Sequence, residues 1–457
     1  MQRQGRKRHN RPEKLIAYSF ICAIIAGCLL LKLPFSAKSG HMSFIDALFT
    51  ATSAVCVTGL SVIDIGKDLT FTGQAFMLVL IQAGGLGIMT LSVLFFLMLG
   101  KRTSFTSRLS LGNISLDFDP QSMKRTLGLV LATTFIFEFA GAALLYGQMS
   151  RIHTFPMAVF SSVFHAVSAF CNSGFSLYSD SLTRFQGQIY VPVVIMALVV
   201  TGGLGFMVIS EFYEGIIDIK NRKRFRLSLH SKIALTGTAC LLVLGAAVIF
   251  ALEQKNLFAG MPAVNKAVNA VFLSVTSRTA GFNTVDTGML SNATLFFVIM
   301  LMFIGGCPGS TAGGIKVNTF VVLFAVLAGK LKGDLTTSIY KRKIPPVVID
   351  KTVAIFSASL FVLCLFLFLF LMSENIWVSH TVSKGSFLEL FFESASAFGT
   401  VGLSVGATAK LSTLGKLLTV FLMFAGRVGP ITLAVALQTM RRKRLKYEYA
   451  EEEIMVG

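Results

Sequence analysis

The chain is a succession of long apolar runs separated by short polar breaks. No charged residue occurs in 69–100, 185–210, 233–252, 287–315 or 352–373. Runs of this kind read as membrane spans, because a helix needs about 20 apolar residues to cross about 30 Å of hydrocarbon. One order of elements recurs along the sequence: a long run, a short helix of about a dozen residues, a loop, and a second long run. The expected elements are 15–33, 43–54 and 69–100; then 126–148, 156–168 and 188–214; then 231–253, 263–276 and 290–329; then 347–372, 386–397 and 412–440. A dozen helical residues reach only about 18 Å. Each short helix must therefore enter the membrane and turn back, which is tolerated at depth only where the backbone is buried in protein or lines a water-filled cavity. Ser43, with Asp46 three residues on, gives the first short helix a capping-box start.

Four glycine loops mark the same repeat. They are VCVTGLS at 55–61, FCNSGFS at 170–176, SRTAGFN at 277–283 and FGTVGLS at 398–404. Aligned on Gly59, Gly174, Gly281 and Gly402, the next residue is Leu, Phe, Phe, Leu and the one after it Ser, Ser, Asn, Ser. SFIDALF at 43–49 and SFLELFF at 386–392 begin 16 residues before their glycines. A second cluster follows each glycine by 24 to 28 residues: GGLG at 84–87, GGLG at 202–205, GGCPG at 305–309 and GRVG at 426–429. Two signals at near-constant offset, four times over, define a fourfold internal repeat. The division expected is a basic tail 1–14, repeat one 15–100, a loop 101–125, repeat two 126–216, a loop 217–230, repeat three 231–330, a loop 331–346, repeat four 347–440 and a tail 441–457. The fold class expected is all-α integral membrane, with four pseudo-repeats of helix, re-entrant pore helix, loop and helix, making eight spanning helices around a central axis.

Composition supports a polytopic membrane protein: 54% of residues are hydrophobic, 14% are charged, and mean hydropathy is +0.73. The first run lacks a small-residue cleavage signature, so it reads as a retained helix rather than a signal peptide. The formal charge of +19 sets topology rather than marking a nucleic-acid protein. Of the 41 basic residues, 28 fall within 1–14, 101–125, 217–232, 330–351 and 441–457, between repeats or at the ends. By the positive-inside rule both termini and all inter-repeat loops face the cytoplasm. The seven cysteines lie in apolar stretches without CxxC spacing, which excludes a disulfide framework or a zinc site. Paired catalytic acids and HExxH are absent, so the chain does not read as an enzyme. GSTAGGIK at 309–316 echoes a phosphate-binding loop but lacks its closing Lys-Ser/Thr and lies between two apolar halves. Asp350-Lys351-Thr352 merely precedes a span.

A four-copy unit of this build resembles the Trk/Ktr/HKT superfamily of potassium transporters, and most nearly the membrane subunit of bacterial Ktr-type uptake systems. The resemblance runs from the first apolar run to the last. It implies a multi-pass protein of the bacterial cell membrane that translocates potassium. It further implies a homodimer under the control of a separate cytosolic nucleotide-binding ring of the RCK type. Nucleotide would bind that partner and not this chain, and sodium is left open as a co-ion. In the superfamily, serine at the first filter position goes with sodium permeation; glycine at all four positions here implies potassium preference.

The residues fit that chemistry. Potassium must shed water to be selected, and backbone carbonyls replace the hydration shell. Turning carbonyls to one axis needs backbone angles that glycine supplies. The candidate filter is Val57, Thr58 and Gly59; Asn172, Ser173 and Gly174; Thr279, Ala280 and Gly281; and Thr400, Val401 and Gly402. Each short helix points its partially negative C-terminus at the ion. No carboxylate ring of a calcium site is present. The loops differ from one another and from TVGYG, so one or two good sites are expected rather than four in a row. The second cluster, with Gly84, Gly85, Gly202 and Gly203, reads as close helix packing.

The third repeat's last run breaks at GGCPGSTAGGIK, 305–316. By the resemblance this is an intramembrane gate comprising Gly305, Gly306, Gly309, Gly313, Gly314 and Lys316. Arg427 would hold its carbonyls as an electrostatic barrier; a buried pair with Glu393 is the competing reading. Lys316 either neutralises carbonyls or simply ends the loop. Arg278, inside the third loop, is expected to point off the axis and to tie to a pore-helix acid such as Glu393. Glu138, in mid-span, calls for a polar partner on a neighbouring helix or a role in the ion path. The alternative function is a secondary transporter of another small solute. That reading predicts two related halves and coupling carboxylates, where the sequence has four quarters and few such acids. Less selective sodium and potassium permeation is a further alternative.

Overall fold

The computed structural model describes residues 12–100, 120–222, 225–334, 336–376, 378–379, 383 and 385–429. Most of the N-terminal tail and of the loop at 101–125, the far part of the last run at 430–440 and the tail 441–457 lie outside them. The first repeat comprises α1 (Pro12–Leu31), α2 (Phe44–Val55), the single turn α3 (Ile65–Asp68) and α4 (Phe71–Gly100). The second comprises α5 (Pro120–Met149), α6 (Phe155–Phe170), α7 (Tyr190–Leu204) and α8 (Phe206–Lys220). The third comprises α9 (Leu229–Glu253), α10 (Ala263–Thr276), α11 (Asn292–Phe303) and α12 (Val317–Leu331). The fourth comprises α13 (Pro346–Asn375), α14 (Ser386–Gly399) and α15 (Thr413–Val428). A two-residue hairpin, Ser338–Ile339 against Arg342–Lys343, precedes the fourth repeat.

Local chemistry sets the short helices. Ser43 accepts from the Asp46 amide at 3.1 Å and donates to its carboxylate at 2.7 Å, so α2 begins where the capping pattern lies. Phe49, Phe164 and Phe392 each stand ten residues before their glycine and are wholly buried. In the third repeat the buried Phe272 stands nine before its glycine.

The repeats close into a ring by one packing rule. The helix that follows each loop lies against the short helix of the next repeat: α4 on α6, α7 on α10, α11 on α14, and α15 back on α2. Lys416 on α15 reaches Asp46 on α2 at 2.8 Å and pins that last junction. The outer faces are apolar and uncovered, with Phe139, Val243 and Phe361 exposed, as expected of a surface in contact with lipid.

The second glycine clusters explain how closely these helices approach. A methyl group at Gly84, Gly202 or Gly426 would overlap the carbonyl of Val55, Phe170 or Phe398 respectively, four residues before each loop glycine. Close packing is therefore their role. The fourth residue of the cluster does something else. Gly205 (φ +84°) and Gly429 (φ +89°) end their helices. The single span expected at 188–214 is in fact two helices, α7 and α8, bent by 96° at Gly205. Only glycine adopts that backbone at little cost, and the break leaves space for the third repeat's loop. By length and composition, three described helices suffice to cross a membrane: Leu127–Met149, Leu229–Glu253 and Pro346–Asn375. The bent pair makes a fourth if it is one span.

Candidate functional site

The four loops meet in a closed cycle. A Cβ at Gly59 would strike the Ser173 carbonyl oxygen, at Gly174 that of Ala280, at Gly281 that of Val401, and at Gly402 that of Thr58, each no farther than 2.6 Å. Each glycine thus lies against the carbonyl that precedes the glycine of the next loop, and the fourth returns to the first. All twelve residues predicted for the filter are in this cycle or adjoin it. Each loop has left-handed backbone at its glycine and two residues earlier, at Val57 (φ 54°), Asn172 (φ 58°), Thr279 (φ 72°) and Thr400 (φ 50°). The residue between them, Thr58, Ser173, Ala280 or Val401, does not share the positive φ. For a branched side chain such a conformation costs on the order of 1–3 kcal/mol and persists only where its surroundings impose it.

The short helices impose it through hydroxyls in their last turn. Ser53 and Ser396 accept from the amides of Gly59 and Gly402, both at 3.1 Å. Ser168 and Thr276 donate instead to the carbonyls of Phe175 and Phe282, both at 2.8 Å. The division follows the residue after the glycine, Leu in the first and fourth loops and Phe in the second and third. Sequence reasoning missed these four hydroxyls. Their signal is a Ser or Thr five or six residues before each glycine. In the fourth loop the buried Glu393 adds a brace, accepting from Ser404 Oγ at 2.6 Å, from the Val405 amide at 3.1 Å and from Thr408 Oγ1.

What the loops leave unpaired matters as much. Among the described residues, the carbonyls of Thr58, Ser173, Ala280 and Val401 accept no hydrogen bond. Each loop also carries one buried hydroxyl without a partner: Thr58, Ser173, Thr279 and Thr400. Buried polar groups in folded proteins are nearly always paired. These four carbonyls and four hydroxyls are thus buried and uncommitted to protein donors. Being carbonyls and hydroxyls, the oxygens here are neutral.

The broken segment of the third repeat packs directly against these loops. Its ends are stitched together, with Gly305 N donating to Ile315 O at 2.8 Å and Val317 N to Gly306 O at 3.0 Å. A methyl at Gly305 would overlap the Gly313 carbonyl, and one at Gly313 would overlap Thr400 Oγ1 of the fourth loop. Gly309 (φ +77°) and Gly314 (φ +62°) take left-handed turns. The segment seats in the bend of the second repeat: Cys307 N donates to Gly203 O at 2.9 Å, and Phe206 N to Gly309 O at 3.2 Å. Thr311 Oγ1 reaches Phe170 O and Gly202 O, both at 3.2 Å. Gly306 lies against Ala312 and the Gly203 carbonyl. Lys316 Nζ donates to Ala312 O at 2.5 Å.

Two arginines complete the assembly, and neither pairs with an acid. Arg427, 4% exposed, donates to Thr311 O in the broken segment and to Gly84 O at 3.2 Å. The pair with Glu393 is not formed. Arg278 likewise does not reach Glu393; it donates to Thr238 O at 3.4 Å and Gly305 O at 3.2 Å. The reason is that Glu393 is already saturated by its own loop's donors. Of the four carbonyls the guanidiniums engage, those of Gly305 and Thr311 lie in the broken segment, while those of Thr238 and Gly84 lie within α9 and α4. Glu138 finds its expected neighbour-helix partner, accepting from Gln82 Nε2 on α4 at 3.1 Å.

An apolar helical shell built of four like quarters, whose glycine loops meet in one cycle, defines a multi-pass integral membrane protein. The comparisons agree. The family model described as "TrkH: Cation transport protein" matches residues 7–445. Ktr system potassium uptake protein B of Bacillus subtilis (strain 168) is 37% identical, over 96% of this chain and 96% of that protein. Potassium/sodium uptake protein NtpJ of Enterococcus hirae is also 37% identical, over 100% of this chain and 99% of its own. The crystal structure of the potassium transporter TrkH from Vibrio parahaemolyticus shares the fold, with a TM-score of 0.74 at 21% identity, covering 96% of this chain and 87% of that one. The chain belongs to the TrkH family of cation transport proteins, a family of multi-pass membrane transporters and not of enzymes.

Proposed function

We propose that the chain translocates potassium across the cell membrane, selecting it at the four-loop ring and gating it at the segment 305–316. The observation that carries this reading is the cycle of four buried carbonyls, each backed by a glycine and none engaged by a protein donor. Such oxygens replace the water that potassium sheds, and the negative ends of α2, α6, α10 and α14 add to the cation's stabilisation. Glycine at all four positions supports a preference for potassium over sodium. The printed names of the relatives in Bacillus and Enterococcus support potassium as cargo. The second name also keeps alive a less selective reading in which sodium is co-transported or permeates. The driving force is the membrane potential, worth about 2.3 kcal/mol per charge per 100 mV.

In this reading the chain crosses the membrane eight times with both termini cytoplasmic, and the broken segment blocks the path below the ring until it moves. Several relatives are named as parts of a Ktr system, which supports a partner subunit. We place that partner as a cytosolic nucleotide-binding ring of the RCK type, set against the basic inter-repeat loops of a homodimer. The test is potassium uptake into proteoliposomes under an imposed inside-negative potential, with sodium present and then absent. Parent protein is compared with a deletion inside 306–314. Potassium-selective flux that rises with the deletion is expected. Flux of an organic solute in place of the cation would sink the reading and favour a secondary transporter.

A further inference from the structure

Between the first and second repeats a groove of about 370 Å³ opens on the lipid-facing surface. Its walls are Val79, Phe135, Phe139 and Val163, all exposed on the outer face of the molecule. At its base lie Gln82 and Glu138, the latter 6% exposed. Glu138 stands 11 residues before the end of α5, about 16 Å down a helix that spans the membrane. Its carboxyl group has two protein partners, Gln82 Nε2 at 3.1 Å and the weak donor Cys171 Sγ at 3.8 Å. A carboxylate offers about four acceptor sites, so about half remain open. Among the described residues no Lys, Arg or His lies within ion-pairing distance of it.

An acid at that depth without a cation is costly, and it lies beneath apolar walls reached from the bilayer and not from water. An inorganic cation has no path there. A molecule that brings a basic nitrogen on an apolar body does. We propose that the groove is a binding site for lipophilic amines that partition from the lipid, with Glu138 as the countercharge. The amine arrives protonated, or its nitrogen takes the proton from the carboxyl oxygen; either way the bound pair is ammonium and carboxylate. The chain's own geometry gives such binding a consequence. Cys171 caps α6 and immediately precedes Asn172, Ser173 and Gly174 of the second loop. An amine that draws Glu138 Oε1 toward the groove removes one of the two acceptors of Cys171 Sγ, the other being Gln82 Oε1 at 3.8 Å, and so loosens that loop.

The test uses full-length protein in proteoliposomes, with N,N-dimethyldodecylamine as ligand and dodecan-1-ol as its uncharged twin. Access to Glu138 is read with dicyclohexylcarbodiimide. The carboxyl O–H adds across one C=N bond, and an O-to-N acyl shift turns the O-acylisourea into an N-acylurea, so the peptide gains the whole reagent. Labelling at Glu138 is expected, falling at least fivefold with the amine and unchanged with the alcohol. Ala142→Phe fills the groove while leaving the acid in place, and should abolish labelling. The amine concentration that halves potassium uptake should rise at least tenfold in Ala142→Phe and in Glu138→Gln. No labelling of the parent, equal protection by the alcohol, or inhibition unchanged in Ala142→Phe would each overturn the proposal. The labelling is read on the protein itself, so it stands or falls independently of the transport reading.

Discussion

Replacing Gly281 by serine tests the ring at one of its four contacts. Gly281 has φ +77°, a backbone that costs an L-residue about 1–2 kcal/mol. The new Cβ would approach the Val401 oxygen to 2.5 Å, against the 3.4 Å at which ordinary contact begins, so that carbonyl must retreat by about 0.9 Å. Both effects fall on the same quarter of the ring. A ring that has lost one carbonyl from its closed set holds a large ion less well, while the serine hydroxyl offers a smaller ion an extra oxygen. If that 1–2 kcal/mol is expressed as discrimination, potassium preference over sodium falls about 5- to 30-fold. The assay is paired potassium and sodium flux into proteoliposomes at fixed potential. Gly260→Ser is the control, since Gly260 has φ +81° with nothing within 4 Å of a Cβ. It carries the backbone strain without the carbonyl. Undiminished preference in Gly281→Ser, or an equal loss in Gly260→Ser, would refute the reasoning.

Further outcomes follow from the contacts around the ring. Arg427→Gln removes two hydrogen bonds from a charged donor, to Thr311 and Gly84, each worth about 1.5–3 kcal/mol. Basal potassium flux should rise about tenfold or more, and unchanged flux would separate this arginine from the gate. Gly202→Ala drives a methyl into the Phe170 carbonyl, an overpacking that costs about 1–3 kcal/mol. Thermal unfolding in detergent should shift down by several degrees. Ser396→Ala removes the acceptor for the Gly402 amide and should reduce potassium preference with little change in unfolding temperature. Ser396→Thr should restore it.

The sequence displayed the repeat and the ring glycines plainly, because a glycine with no helix to pack needs a conformational reason to be there. The partners of buried charge were not legible. Arg278 and Glu393 look complementary on paper, yet Glu393 is consumed by Ser404, Val405 and Thr408 within its own repeat. Local donors a few residues away engage an acid before a distant guanidinium can. The bend at Gly205 escaped notice for a related reason. GGLG reads identically in the first two repeats, yet α4 runs straight through Gly87 while the second repeat breaks at Gly205. The difference comes from outside the motif, from the third repeat's loop, whose Pro308 and Gly309 lie against Gly205. Likewise the left-handed Val57, Thr279 and Thr400 run against their own propensity and follow from hydroxyl anchors in the preceding helix.

That both arginines hold carbonyls rather than carboxylates bears on how the proposed gate could move. A carboxylate partner would neutralise each guanidinium and fix it, since breaking a buried ion pair costs about 3–5 kcal/mol. Bonds to backbone carbonyls leave the positive charge largely intact, so in the proposed reading Arg427 acts as an electrostatic barrier to a cation while the segment is seated. They also link the barrier to the segment: Arg427 bonds Thr311, and Thr311 in turn touches the Phe170 carbonyl at the end of α6. Arg278 bonds Gly305 while its own backbone belongs to the third loop. Displacing 305–316 therefore disturbs one contact beneath the second loop and one behind the third. The segment cannot leave its seat without the ring registering it. The ring and the segment 305–316 thus form one hydrogen-bonded assembly, and under the proposed function a change at either should alter both selectivity and flux.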